Sequence, residues 1–399
     1  MSLALRLSAY WFLIMGALGV FFPYFTLYLR ENAGLNGAQV GLVAAVPPLT
    51  AIFFQPFWGQ VADRTGSRTR TLALLALGAA GGYALLSLPR SFSGLAAAAA
   101  LLAVFSTSLM PMGVSVSLGS LEENRIADFG RVRVWGSIGF LCTVVAMPRL
   151  LHWFQQSNGL TRLPGGPSEP ALGLIFLVAG ALVALGSLVA WRLPRSGSVS
   201  LRASRDDYLL LLRHLPFLRV LAFAFLGFLF IQGPMMLFPV YVRSRGGDMS
   251  VVSQMWIWML LLEIPLVAYA GPLFRRVGPR VMVASAALAG GVRWLVCALF
   301  HDLNIVYPAQ ILHAFVVVGL LVGAPLYVEV LIPERLRSTG QGLLMTLGIS
   351  IGGIASVTAS GALMDRFSAD FPYLLGGLGA IAVGCAAPLL LPRVPAENE

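Results

Sequence analysis

Three ionisable side chains stand in the middle of long apolar stretches. Glu263 lies in WIWMLLLEIPLVAYAGPLF, Arg293 in ALAGGVRWLVCALF, and His313 in QILHAFVVVGLL. A carboxylate, a guanidinium and an imidazole can hold one another as an ion pair, hydrogen-bond a polar solute, or take up and hand on a proton. Read as helices and counted from their polar ends, they reach about 12 Å, about 18 Å and about 13 Å into the apolar layer. Three consecutive segments therefore carry them to one depth. A lone charge at the centre of a bilayer costs about 2.5–3.5 kcal/mol on insertion scales, so the three are expected to pair inward or to line a wet cavity. The plainer reading is a structural Glu263–Arg293 ion pair with His313 as a packed core residue. A charge retained at that depth is a functional site by default, and the shared depth favours function.

The elements that must position them are membrane helices. The chain has 399 residues, 58% hydrophobic and 11% charged, with mean hydropathy +0.82. A soluble domain carries about 25% charged residues. Long runs rich in Leu, Ala, Val and Gly fit helices, which satisfy every backbone group internally, and not the alternating strands of a barrel. Twelve spans are expected: 8–30, 37–58, 71–89, 95–118, 131–151, 171–191, 217–242, 250–274, 281–300, 304–331, 339–363 and 371–391.

The net charge of +10 comes from 27 basic residues, all arginine, and 17 acidic ones. The arginines sit mainly in short loops and not along one stripe, which argues for topology and against a nucleic-acid partner. With the N-terminus inside, nineteen arginines fall in cytoplasmic segments and seven in outer ones, so both termini are expected in the cytoplasm. The run from Leu7 to Leu29 is too long for a signal-peptide core and reads as a retained first helix. Cys142, Cys297 and Cys385 stand singly in apolar segments, so neither a disulfide framework nor a metal site nor a cofactor is expected.

One short polar mark occurs twice. GQVADRTGSR begins at Gly59 and GPLFRRVGPR at Gly271, sharing Gly, Arg, Gly and Arg at equal offsets, 212 residues apart. A second echo pairs RVRVWG (Arg131–Gly136) with RLRSTG (Arg335–Gly340), 204 residues apart. Two marks in register imply two related six-helix halves, 1–192 and 217–399, joined by a polar linker, 193–216. Parallel repeats of this kind are expected to hold substrate near mid-membrane between them. Within the first mark, Gly59 and Gly66 would allow a tight turn and close helix approach, and Gly271 and Gly278 repeat them in the second. Arg64, Arg68, Arg276 and Arg280 would hold the inner surface or pair with acids across the seam. Asp63 would meet the N-terminus of a neighbouring helix. Simple topological anchoring is the alternative for an isolated mark; the repetition favours a gating role for both.

GQVADRTGSRTR resembles the loop signature of the major facilitator superfamily, and the two-times-six layout matches that superfamily over essentially the whole chain. FFPYFTLYL (Phe21–Leu29), FQPFWGQVADRTGSR (Phe54–Arg68), FGRVRVWGSIGF (Phe129–Phe140) and QILHAF (Gln310–Phe315) resemble the branch containing lactose permease, nucleoside:proton symporters and the phenylpropionic acid transporter. The resemblance implies an all-α membrane fold and alternating access. It also implies that Glu263 binds substrate and that Arg293 and His313 belong to the coupling network. Arg133 matches the branch's substrate-binding arginine, although the sequence alone leaves it at the cytoplasmic surface.

The chain departs from that branch at three places. Val316 stands where the proton-carrying acid is expected, PMGVSVSLG (Pro111–Gly119) on the fourth helix holds no acid, and Gln232 stands near an expected aspartate. A lactose-like site is therefore not expected; Glu263 with His313 is the remaining pair able to carry one proton. Arg133 and Arg293 against one acid suit an anionic or hydroxyl-rich solute, since guanidinium forks bind carboxylates and donate to hydroxyls. Tyr24 and Trp256 are candidates for stacking on a ring, as are Tyr10, Trp11 and Trp258, and Gln232 is a candidate polar contact.

The expected function is a secondary transporter, proton-coupled, importing a sugar, nucleoside or aromatic or organic acid. Such a protein would work as a monomer in a bacterial inner membrane, with protons and the lipid bilayer as its other partners. The rivals are a proton-driven efflux antiporter and a non-transport scaffold or sensor. WGSIGFLCTVVAMP (Trp135–Pro148) does not reproduce the Gly/Pro-rich fifth-helix motif of exporters. No HExxH, GxSxG or Walker loop supports an enzyme.

Overall fold

The computed structural model describes residues 2–121, 125–161, 167, 169–194 and 205–393. Among these the chain is helical, with no strand. Eleven helices are long and apolar enough to cross a membrane: α1 (Leu3–Asn32), α2 (Gly37–Thr65), α3 (Arg68–Leu86), α4 (Phe92–Ser120), α5 (Phe129–Ser157), α6 (Leu174–Trp191), α7 (Leu215–Met236), α8 (Met249–Ala268), α9 (Pro279–Leu299), α10 (Leu303–Leu331) and α11 (Thr339–Arg366). A twelfth apolar helix, α12 (Phe371–Cys385), is shorter. The protein is thus an all-α integral membrane protein.

Several expected spans end or break at proline. A proline ring meets the carbonyl four residues earlier and leaves it without an N–H partner. Pro111 faces Thr107, where α4 is interrupted; Pro239 faces Met235, beside which α7 stops; Pro272 faces Ala268, where α8 ends. The expected spans 217–242 and 250–274 therefore each divide, the remainders forming the short helices Phe238–Ser244 and Ala270–Val277. In the opposite direction, α2 continues seven residues past its expected end at 58, to Thr65.

The chain forms two compact units, residues 1–200 with 248–254, and residues 201–247 with 255–399. In the first, α1 packs on α5 and α3 on α6; in the second, α7 packs on α11 and α9 on α12, the same pairing displaced by six helices. Backbones touch in these pairs. A Cβ on Gly139 would lie 2.2 Å from the Phe12 carbonyl oxygen, and one on Gly233 would lie 2.4 Å from that of Ser356. Only glycine fits either contact, as expected where membrane helices associate by close packing and not by a hydrophobic drive.

Candidate functional site

In the second unit, α9 brings Arg293 inward between α7, α8 and α10. Its side chain is wholly buried, and every direction around the guanidinium is occupied. Nε donates to Gln310 Oε1 at 2.8 Å, and Nη1 lies 3.0 Å from His313 Nδ1. Nη2 points at two thioether sulfurs, Met235 and Met259, each at 3.5 Å. The guanidinium also stacks over the Trp294 ring at 4.1 Å.

These contacts fix the chemistry of His313. A guanidinium carries donors only, so Nδ1 must be the acceptor and the ring's single proton sits on Nε2. That nitrogen faces Glu263 Oε2 at 3.7 Å, within electrostatic reach but beyond a hydrogen bond. His313 therefore stands between the carboxylate of α8 and the guanidinium of α9. The edge of Trp256 packs against its ring, the centroids 6.1 Å apart. Glu263, Arg293 and His313, which share one depth in the sequence, are brought together in one place.

Gln310 escaped the sequence reading as a site residue. It is wholly buried, accepts from Arg293, and donates to the Val306 carbonyl at 3.0 Å. Its signal was available: it stands three residues before His313, on the same helical face. A 3₁₀ turn, Gln310–Leu312, lies between them, and a π-helical stretch, Val317–Gly323, follows. Such irregular turns recur at functional positions. Met235 and Met259 gave no signal, since methionine in a membrane helix reads as packing.

The remaining candidates are placed elsewhere. Gln232, half-buried on α7 near Gly353, forms no hydrogen bond with the cluster among the described residues. Arg133, in the first unit, turns inward onto α1: its guanidinium carbon lies 4.7 Å from the centroid of Trp11, and Nη2 lies 3.9 Å from Met15 Sδ. The surface position that sequence alone gives it is thereby corrected. Trp11 is itself fixed, donating to Ser117 Oγ at 3.0 Å. Tyr24 is fully buried and donates to the Val144 carbonyl at 3.3 Å, so in this conformation it offers a solute no ring face.

The repeated marks fold alike at one position and differ at others. Gly66 and Gly278, the eighth residue of each, have φ of +63° and +80°, the turn each mark needs before the next helix begins. Gly59 and Gly66 have nothing within 4 Å of a Cβ position, so the expected close approach there is corrected: α2 simply runs past Gly59 as helix, and Gly271 is equally open. Asp63 meets the side chain of Arg68, the first residue of α3, at 2.9 Å. Arg68 also donates to Ser115 Oγ on α4 at 2.7 Å, which fastens the loop to its own bundle. The second mark has Arg275 where the first has Asp63, so this pair has no counterpart there.

The class is thus a helical membrane protein in which a buried guanidinium and a partly buried imidazole and carboxylate meet among apolar helices. The family described as "MFS_1 like family" matches residues 4–375, and the chain belongs to that family of major facilitator transporters, which are permeases and not enzymes. It is 30% identical over 389 residues to the maltose permease of Geobacillus stearothermophilus, covering 96% of this chain and 93% of that one. It is 26% identical over 320 residues to the probable 3-phenylpropionic acid transporter of Escherichia coli K12, covering 78% and 77%. The crystal structure of the nucleoside transporter NupG shares the fold, with TM-score 0.82 at 16% identity over 98% of this chain and 99% of the other. The superfamily resemblance carried by GQVADRTGSRTR is borne out.

Proposed function

We propose that this transporter imports a small organic solute together with a proton, by alternating access of its two halves. In this reading twelve helices span a bacterial inner membrane with both termini in the cytoplasm. The halves are 1–192 and 217–399, the segment 193–216 links them, and the monomer is the working unit. The solute is a sugar, a nucleoside or an aromatic or organic acid, classes that the names of its relatives span.

The observation that carries the proposal is His313 standing between Glu263 and Arg293. A proton added at Nδ1 would set two donors face to face at 3.0 Å, so uptake must separate His313 from Arg293. The imidazolium would then be drawn to Glu263, while Arg293 would keep Gln310 and its aromatic and sulfur contacts. Proton arrival thus exchanges one contact for another in a largely buried cluster, where a lowered dielectric strengthens each. In the second unit Glu263 receives the solute with Trp256 and Gln232; in the first, Arg133 is the substrate-binding candidate. Tyr24 could join it only if the cycle uncovers its ring. The repeated marks, with Gly66 and Gly278 at their corners, act as gating loops.

The test is uptake into proteoliposomes of purified protein with maltose, a nucleoside and 3-phenylpropionate, under an imposed inward proton gradient. Acidification outside should drive accumulation of one of them, and Glu263→Gln should abolish accumulation. Solute leaving against inward protons, or gradient-independent flux at an unchanged rate, would overturn the coupling.

A further inference from the structure

The helix Arg205–Arg213, just ahead of α7, is anchored to the second unit along one narrow edge. Leu211 is buried in the core of that unit with Phe217, and Asp207 faces Arg335 at 3.6 Å. Between Asp207 and Arg213 the helix is apolar, and most of that stretch is uncovered. Tyr208, Leu209, Leu210 and Leu212 are each between 43% and 48% exposed, and Leu215, at the start of α7, is 57% exposed. Contiguous apolar surface left uncovered by the protein marks an interaction site.

The place of the helix names its occupant. Only His214 separates its last residue from the first of α7, and the His214 ring caps α7 by accepting from the Phe217 N–H at 3.3 Å. His214, with ψ of 93°, breaks the helical path, so Arg205–Arg213 does not continue α7 as one straight rod. The helix is about 14 Å long, so its far end stays within about 20 Å of the start of a membrane helix. Two exposed arginines, Arg213 and Arg219, flank the junction. A leucine-rich face with arginines at its margin, at the end of a membrane span, has the composition of a helix that lies in the interface and draws anionic headgroups.

We propose that Arg205–Arg213 lies in the bilayer surface at the leaflet where α7 begins, with Tyr208, Leu209 and Leu212 among the upper acyl chains and Arg213 and Arg219 on anionic lipid phosphates. Arg205–Arg213 is then a membrane-bound strap and not a free tether. Lipid charge acts on the second unit through Leu211 and Asp207, which join the strap to it.

The full chain tests this, with the exposed cysteines Cys142 and Cys385 changed to serine and an environment-sensitive nitrobenzoxadiazole probe placed by Leu212→Cys. In nanodiscs the probe should emit at shorter wavelength than in water. It should be quenched by phosphatidylcholine carrying a shallow doxyl group and shielded from aqueous iodide. Lipid quenching should rise as phosphatidylglycerol replaces phosphatidylcholine, and Arg213→Gln with Arg219→Gln should remove that rise. Tyr208→Cys on the same face repeats the measurement should the first position disturb folding. Quenching by iodide alone would place the helix in water and overturn the proposal. Resistance to both quenchers would mean that protein, a second copy included, covers the face, and would overturn it equally. Lipid quenching indifferent to phosphatidylglycerol would overturn the assignment of the arginines.

Discussion

Replacing Arg293 with lysine keeps the charge and removes the planar fork. The guanidinium serves Gln310 Oε1 and His313 Nδ1 at once, at 2.8 Å and 3.0 Å, from nitrogens held apart by a rigid plane. An ammonium on a flexible stem reaches one of these acceptors and leaves the other unsatisfied where Arg293 has no solvent exposure. A hydrogen bond to a charged group contributes about 1.5–3 kcal/mol. Weakening the stack on Trp294 adds about 0.5–1 kcal/mol. Arg293→Lys should therefore destabilise the protein by about 2–4 kcal/mol, some thirty- to several-hundredfold in the folded-to-unfolded ratio. Reversible unfolding in mixed micelles, with proteoliposome uptake measured on the same preparations, reads both consequences. A lysine variant as stable as the parent and transporting at the parent rate would show that a point charge suffices. The argument from the fork geometry would then fail.

Two further substitutions probe the packing and the loop. Gly139→Ala places a methyl group 2.2 Å from the Phe12 carbonyl oxygen and should cost about 1–3 kcal/mol, whereas Gly81→Ala, with nothing within 4 Å, should stabilise its helix by about 0.5–1 kcal/mol. Equal effects in a thermal-shift comparison would contradict the α1–α5 contact. Asp63→Asn breaks an ion pair whose partners are 36% and 18% exposed, so stability should change by no more than about 1 kcal/mol while transport slows. Lost solute binding in equilibrium dialysis would remove Asp63 from a gating role.

The helices were largely legible in the sequence because lipid imposes long apolar runs, and the recurrence of glycine and arginine 212 residues apart suggested that the second half repeats the first. The depth of Glu263, Arg293 and His313 follows from residue counts alone, so their meeting was legible too. The orientation of Arg133 was not. A residue near a helix end reads as surface unless a partner such as Trp11 is known to lie beneath it. The breaks beside Pro239 and Pro272 were equally hidden, since Pro47, Pro48 and Pro56 sit inside an unbroken α2. Neighbouring helices decide which prolines are accommodated, and no local pattern records them. Gly59 misled for the opposite reason: its type suggested crowding, and its surroundings are open.

The backbone contact between α1 and α5 bears on how force would travel through the first unit. With Gly139 against the Phe12 carbonyl, and Thr143 donating across to the Gly16 carbonyl at 2.8 Å, neither helix can slide along the other without a collision. Arg133 rides on one member of this pair and Trp11 on the other. A pull on that arginine would therefore load both rods together and not one alone.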